Sequence, residues 1–175
     1  MFTRSIFLVG MTASGKTTIG KDLANQLGFP FFDSDRVLEE RAGVSIPWIF
    51  EFEGESQFRR REASIIDELS QMRNIVLATG GGAVMRATTR EHLSARGFVV
   101  YLLASINRIL TRVAEDTSRP LLKDDDPEVV IEKMAREREP VYSALADATF
   151  DTDAYANAHE IASSIATWYH SMVRH

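Results

Sequence analysis

Short apolar runs alternate along this chain with longer segments whose apolar positions recur every three or four residues. The runs Ile6-Phe7-Leu8-Val9, Phe29-Pro30-Phe31-Phe32, Ile75-Val76-Leu77-Ala78-Thr79, 98–103 and 148–152 read as buried strands. After the first run, Ile19, Leu23 and Leu27 mark one face of a helix, and Gly28 is its stop. Further helices are predicted over 37–41 ending near Gly43, from a Ser45 cap with Pro47 in the first turn, over 56–72, over 88–95 stopped by Gly97, and from a Ser105 cap with core positions Ile106, Ile109, Leu110 and Val113. A helix over 127–138 is expected to stop before Pro140, with a short helix after it. A closing helix spans 158–173 and carries Ile161, Ile165 and Trp168. Trp48, Ile49, Phe50 and Phe52 are core candidates. So is the stripe Phe58, Ile65, Leu69 and Met72 on the 56–72 helix. Strands alternating with helices make this an α/β chain.

The 175 residues fit one domain spanning 1–175, and 45% hydrophobic with 26% charged residues is a globular balance. There is no cysteine, which excludes disulfides and thiolate metal sites and is compatible with a cytoplasmic location. The apolar run at 98–104 is too short to span a bilayer, and a strand beginning by Ile6 leaves no room for a signal sequence. The net charge of −5 argues against general nucleic-acid binding, so an anionic substrate would have to be held by local arginines and lysines.

The candidate chemistry centres on Gly10-Met11-Thr12-Ala13-Ser14-Gly15-Lys16-Thr17, which fits G-x-x-x-x-G-K-[ST] between a strand and a helix. Loop N–H groups and the helix N-terminus suit phosphates, Lys16 suits the β- and γ-phosphates, and the Thr17 hydroxyl suits Mg²⁺. Asp33-Ser34-Asp35 follows the second strand, at the sheet edge where α/β proteins bind ligands. Asp33 is a Mg²⁺ candidate and Asp35 a partner for a substrate hydroxyl, with helix capping by Ser34 or Asp35 as the alternative. Within Arg59-Arg60-Arg61-Glu62, Glu62 falls on the apolar stripe, where a carboxylate needs a partner; Arg59, three residues earlier, is the candidate. An arginine oriented in this way suits capture of a carboxylate or phosphate. Gly80-Gly81-Gly82 directly after a strand suggests close backbone approach to a ligand, with free N–H donors. The segment 115–126 lacks apolar periodicity and reads as a lid with Arg119 as its working residue. Arg108 and Arg112 read as exposed. The four histidines have no ligand spacing and read as surface residues.

These motifs, with R-P-L-L at 119–122 and R-E-P-V-Y at 138–142, resemble the shikimate kinase family nearly end to end. The resemblance implies a three-layer P-loop kinase fold: a five-stranded parallel sheet of order 2-3-1-4-5 flanked by helices, plus a lid. It also implies ATP-dependent phosphorylation of the 3-hydroxyl of shikimate in aromatic amino-acid biosynthesis, by a cytoplasmic monomer without nucleic-acid or membrane partners. Lys16, Asp35 and Arg119 would be catalytic. Gly10, Thr12, Ala13, Ser14, Gly15, Lys16, Thr17, Thr18, Arg112 and Arg119 would hold ATP, with Arg112 packing on adenine. Asp35, Arg59, Gly80, Gly81, Gly82 and Arg138 would hold shikimate within a binding segment around 33–62, with the two arginines on its carboxylate. Thr17 and Asp33 match the Mg²⁺ positions. Whether Asp35 is a base or an orienting group stays open. Family members commonly carry glycine where this loop has Ala13, so a positive φ there would strain it. Other P-loop kinases, for gluconate or nucleoside monophosphates, and a non-catalytic ATP-binding module are the competing readings.

Overall fold

A computed structural model describes residues 4–116 and 126–174. The Arg119 and R-P-L-L assignments, with all but the ends of the expected lid, lie outside these residues. Strand β1 (Ser5–Val9) feeds the phosphate loop and helix α1 (Lys16–Leu27), which Gly28 ends in the left-handed conformation. The order continues β2 (Phe31–Asp33), α2 (Ser34–Ala42), α3 (Ile46–Phe52), α4 (Glu55–Ser70), β3 (Val76–Ala78), α5 (Ala87–Arg96), β4 (Gly97–Leu103), α6 (Ile106–Glu115), α7 (Pro127–Leu145), β5 (Ala148–Asp151) and α8 (Ala158–Val173).

The five strands form one parallel sheet in the order β2-β3-β1-β4-β5, as the resemblance implied. Every residue of β1 is buried, because the pleat sends alternate side chains to two separate cores. Ile6 and Leu8 meet Ile19 and Leu23 of α1 and Ile161 and Ile165 of α8. Phe7 and Val9 meet the opposite layer, with Ile65 and Leu69 of α4 and Ile109 of α6. β1 lies between β3 and β4, so the chain reverses its winding direction there. The crevice beyond the carboxyl ends of these strands is where such a sheet binds ligands.

Several expectations change. Proline does not end a helix at 138: α7 runs unbroken through Pro140. Arg136 and Pro140 both lie on its exposed face, so water can take the carbonyl that Pro140 leaves without a donor. Trp48 (40% exposed) and Phe52 (65%) are not core residues. They sit one turn apart on the solvent side of α3 and pack on each other, ring centroids 4.8 Å apart, while Ile49 alone goes fully inward. Met72 is exposed because α4 has already ended at Ser70. Gly97 ends α5 as expected, donating its N–H to the Leu93 carbonyl, but in extended conformation, because it is also the first residue of β4. Among the described residues no helix is long and apolar enough to cross a membrane.

Candidate active site

The phosphate loop is shaped by its own backbone. Gly10 (φ 149°) and Gly15 (φ 97°) occupy positive φ, and so does Ala13 (φ 59°). The strain foreseen at Ala13 is therefore real, about 1–2 kcal/mol for a left-handed non-glycine residue. Ala13→Gly relieves it at an unfolded-state entropy cost of about 0.4–1 kcal/mol. The expected net result is a Tm rise of about 2 °C, read by calorimetry. The loop is closed by Lys16, only 8% exposed, whose Nζ donates to the carbonyls of Gly10 and Met11 at 2.7 Å each. Arg112 reaches across from α6 and donates to the Ala13 carbonyl at 2.8 Å. Arg108 is only partly exposed: it donates to the Thr152 carbonyl at 2.8 Å, tying α6 to the turn after β5.

Asp33 does two jobs. Its Oδ1 accepts from the N–H groups of Asp35 and Arg36, capping α2, and its Oδ2 accepts from the Thr17 hydroxyl at 2.6 Å. Neither Ser34 nor Asp35 is the cap, which corrects the capping alternative. Ser34 is buried and accepts instead from the Gly80 N–H at 3.1 Å. That bond also corrects the expectation that all three glycine N–H groups are free. Nothing local in the sequence points to it, because its partners are 46 residues apart.

The glycines are needed for close approach. A Cβ on Gly80 would lie 2.5 Å from Glu62 Oε2 and 2.8 Å from Asp35 Oδ1; one on Gly82 would lie 2.5 Å from Arg59 Nη2. Residues of α2 and α4 thus close directly over this turn. Glu62 is 3% exposed, as its place on the stripe predicted, and its Oε1 accepts from Arg59 at 2.8 Å. Burial pushes the Glu62 carboxyl above its ordinary 4.5, against the pull of the Arg59 and Arg138 charges. A carboxyl raised in the folded state lends stability in full below about pH 4.5, and loses it as pH climbs through the folded value. Glu62→Gln should therefore gain stability on the parent as pH rises from 4.5 to neutrality. Melting curves across that range check this; a parallel pH dependence in both proteins would contradict it.

Two cavities of about 530 Å³ each open at this edge. One is lined by the phosphate loop, Lys16, Thr17, Thr18, Asp33 and Arg112. The other is lined by Arg59, Glu62, Gly82, Arg138 and apolar residues of α3 and α4 such as Phe50 and Phe58. Thr12, Asp35, Gly80 and Gly81 line both, so Asp35 stands on the wall between a phosphate-binding chamber and an arginine-bearing one. Of the proposed site residues that are described, all but Gly10 and Ser14 line one chamber or both; Ser14 is fully buried within the loop.

Tyr142 was not singled out from the sequence. It is fully buried and donates its hydroxyl to the Gly81 carbonyl. Its spacing of one helical turn from Arg138 was the available signal.

Comparison with known proteins points to one family. The shikimate kinase family model matches residues 12–169. A shikimate kinase of Psychromonas ingrahamii is 52% identical over 86% of this chain and 88% of its own length. One of Francisella tularensis is 50% identical over 95% of this chain and 94% of its own. Among solved structures, shikimate kinase from Acinetobacter baumannii in complex with shikimate superposes with a TM-score of 0.93 at 42% identity, covering 97% of this chain and 94% of that one. A gluconokinase from Sinorhizobium meliloti, at 16% identity and a TM-score of 0.64, shares the fold alone. With a family model spanning the chain from the phosphate loop to α8, and relatives half identical along most of their length, the chain belongs to the shikimate kinase family.

Proposed function

We propose that this chain transfers the γ-phosphoryl group of ATP to the 3-hydroxyl of shikimate, giving shikimate 3-phosphate and ADP. The observation that carries the reading is the shared wall: Asp35 borders both the phosphate-loop chamber and the chamber bearing Arg59 and Arg138. A donor phosphate and an acceptor hydroxyl brought to that wall from opposite sides meet at one carboxylate. Family membership supports the acceptor's identity.

In this reading the loop N–H groups and Lys16 hold the β- and γ-phosphates, with Arg112 beside the loop and Arg119 on the transferring group. Arg59 and Arg138 hold the substrate carboxylate, which fixes the ring and presents one hydroxyl to Asp35. The attacking oxygen forms its bond to phosphorus as the bond to the ADP oxygen breaks; Asp35 orients the hydroxyl, whose proton passes to that carboxylate or to the transferred phosphoryl group. The hydroxyl of Thr17 and the carboxylate of Asp33, held 2.6 Å apart beside the loop, are hard oxygen donors of the kind Mg²⁺ takes when phosphates and water complete its shell. Bound there, Mg²⁺ would supply neutralisation of phosphate charge. The protein acts as a single-domain cytoplasmic monomer on small molecules; its net charge of −5 fits the lack of a nucleic-acid partner.

The test is ADP release from Mg-ATP with shikimate, gluconate and nucleoside monophosphates supplied separately. Release with shikimate alone is expected. Release with gluconate or a nucleotide would replace this reading with one of its competitors, and ATP binding without release would favour a non-catalytic module.

A further inference from the structure

The two clamp arginines are held differently. Arg59 is ion-paired on its own helix, to Glu62 at 2.8 Å and to Glu55 at 3.7 Å. Among the described residues no carboxylate ion-pairs with Arg138. What stands beside it is Tyr142, one turn further along α7. The Tyr142 ring is fully buried and packs on Tyr101 of β4, ring centroids 5.1 Å apart. Its hydroxyl donates to the carbonyl of Gly81. Gly81 in turn is packed so closely that a Cβ there would lie 3.3 Å from Arg138 Nη1 and 3.1 Å from the Thr12 N–H nitrogen. One phenol thus joins α7, the glycine turn and, through Gly81, the edge of the phosphate loop.

We propose that Tyr142 is the positioning residue for Arg138: it fixes the guanidinium against Gly81 and keeps it available for the substrate's carboxylate.

A phenol suits this task better than a carboxylate would. A carboxylate partner would neutralise Arg138 and compete with the anionic substrate for the same N–H groups. A phenol orients by packing and hydrogen bonding and leaves the positive charge in place. It also stays neutral at any working pH, since burial pushes the Tyr142 hydroxyl up to about 12 despite the opposing pull of Arg138. The arrangement gives one arginine held by direct ion pairs on its own helix and one held by packing and a phenol, with the Glu62 carboxylate acting on both at different range. Tyr142 does not touch the reacting atoms, so its effect should fall on acceptor affinity rather than on turnover.

The proposal rests on the functional reading above, and its test separates the two. Tyr142→Phe keeps the ring and its packing on Tyr101 and removes only the hydroxyl. The expected result is a KM for shikimate raised about tenfold, the upper end for one lost neutral hydrogen bond. The KM for ATP and kcat should stay within about twofold. In the Arg138→Ala background the same substitution should add less than about twofold, because a residue acting through Arg138 has nothing left to position. A lower Tm with an unchanged shikimate KM would make Tyr142 a structural residue only and overturn the proposal. So would a full tenfold effect in the Arg138→Ala background. A second readout needs no substitution at 142: the ¹³Cζ resonance of Tyr142 in labelled parent protein should shift when shikimate is added, and no shift would also overturn the proposal. If the parent protein releases no ADP with shikimate, the functional reading itself fails; if it does and the Tyr142→Phe constants match it, only the role of Tyr142 fails.

Discussion

Asp35→Asn should lower kcat by about 10²–10⁴-fold, the range for loss of a positioned proton acceptor, while the KM values for ATP and shikimate move by less than about threefold. The substitution is nearly isosteric, and the backbone around it is secured independently. Asp33, not Asp35, caps α2, and Ser34 holds the Gly80 N–H. The helix should therefore stay in place when Asp35 loses its charge. The pH profile then distinguishes two roles for the carboxylate. A proton acceptor leaves an acid limb in log kcat that disappears in the variant. A group that only orients the hydroxyl produces a smaller loss, toward the lower end of the range, with the profile unchanged, because a loose phosphoryl transition state needs little early deprotonation. A kcat within twofold of the parent would remove Asp35 from the chemistry and revive the non-catalytic reading. Steady-state kinetics with both substrates varied supplies all of these comparisons.

Arg59→Ala should do two separable kinds of damage. The first is to the acid substrate: its KM should rise about 100-fold, the loss of one charge-assisted contact at about 1.5–3 kcal/mol, with little change for ATP. Equal changes in both constants would refute the clamp. The second is to stability. Glu62 is 3% exposed, and removing its partner at 2.8 Å leaves a buried carboxylate, at a cost of up to about 3–5 kcal/mol. The upper figure is a ceiling, because the Glu62 carboxyl already sits above its ordinary range and can escape by taking a proton. The double variant Arg59→Ala/Glu62→Gln tells the two effects apart. It should recover most of the lost Tm and none of the lost shikimate affinity. If affinity returned with stability, Arg59 would be a structural residue.

What could be read from the sequence was whatever depends on neighbours a few residues away. The phosphate loop was legible because its glycines, lysine and threonine act within one turn, between a strand and a helix of opposite periodicities. Glu62 was legible because a carboxylate on an apolar stripe is a local contradiction that a local arginine resolves. The sheet order came through resemblance, since residue spacing says nothing about which strands pair. Features that depend on distant partners were hidden. Ser34 meets Gly80 across 46 residues, and Tyr142 meets Gly81 across 61. Trp48 and Phe52 looked like core because a seven-residue helix is too short for periodicity to reveal which side faces solvent. Pro140 looked like a stop because the penalty for proline is local, whereas the solvent that relieves it is a property of the finished surface.

The position of β1 at the centre of the sheet has a consequence for the growing chain. Both of its pairing edges are filled by segments made much later: β3 at Val76–Ala78 and β4 at Gly97–Leu103. A ribosome synthesising from the N-terminus therefore releases the complete phosphate loop on an unpaired strand, apolar from Ile6 to Val9. Until β3 emerges β1 has two open edges of the kind that recruit stray strands, and until β4 emerges it still has one. The segment on which phosphate binding depends is thus made before both strands that secure it, and the nascent chain is most exposed to mispairing while its most finished-looking motif is already in place.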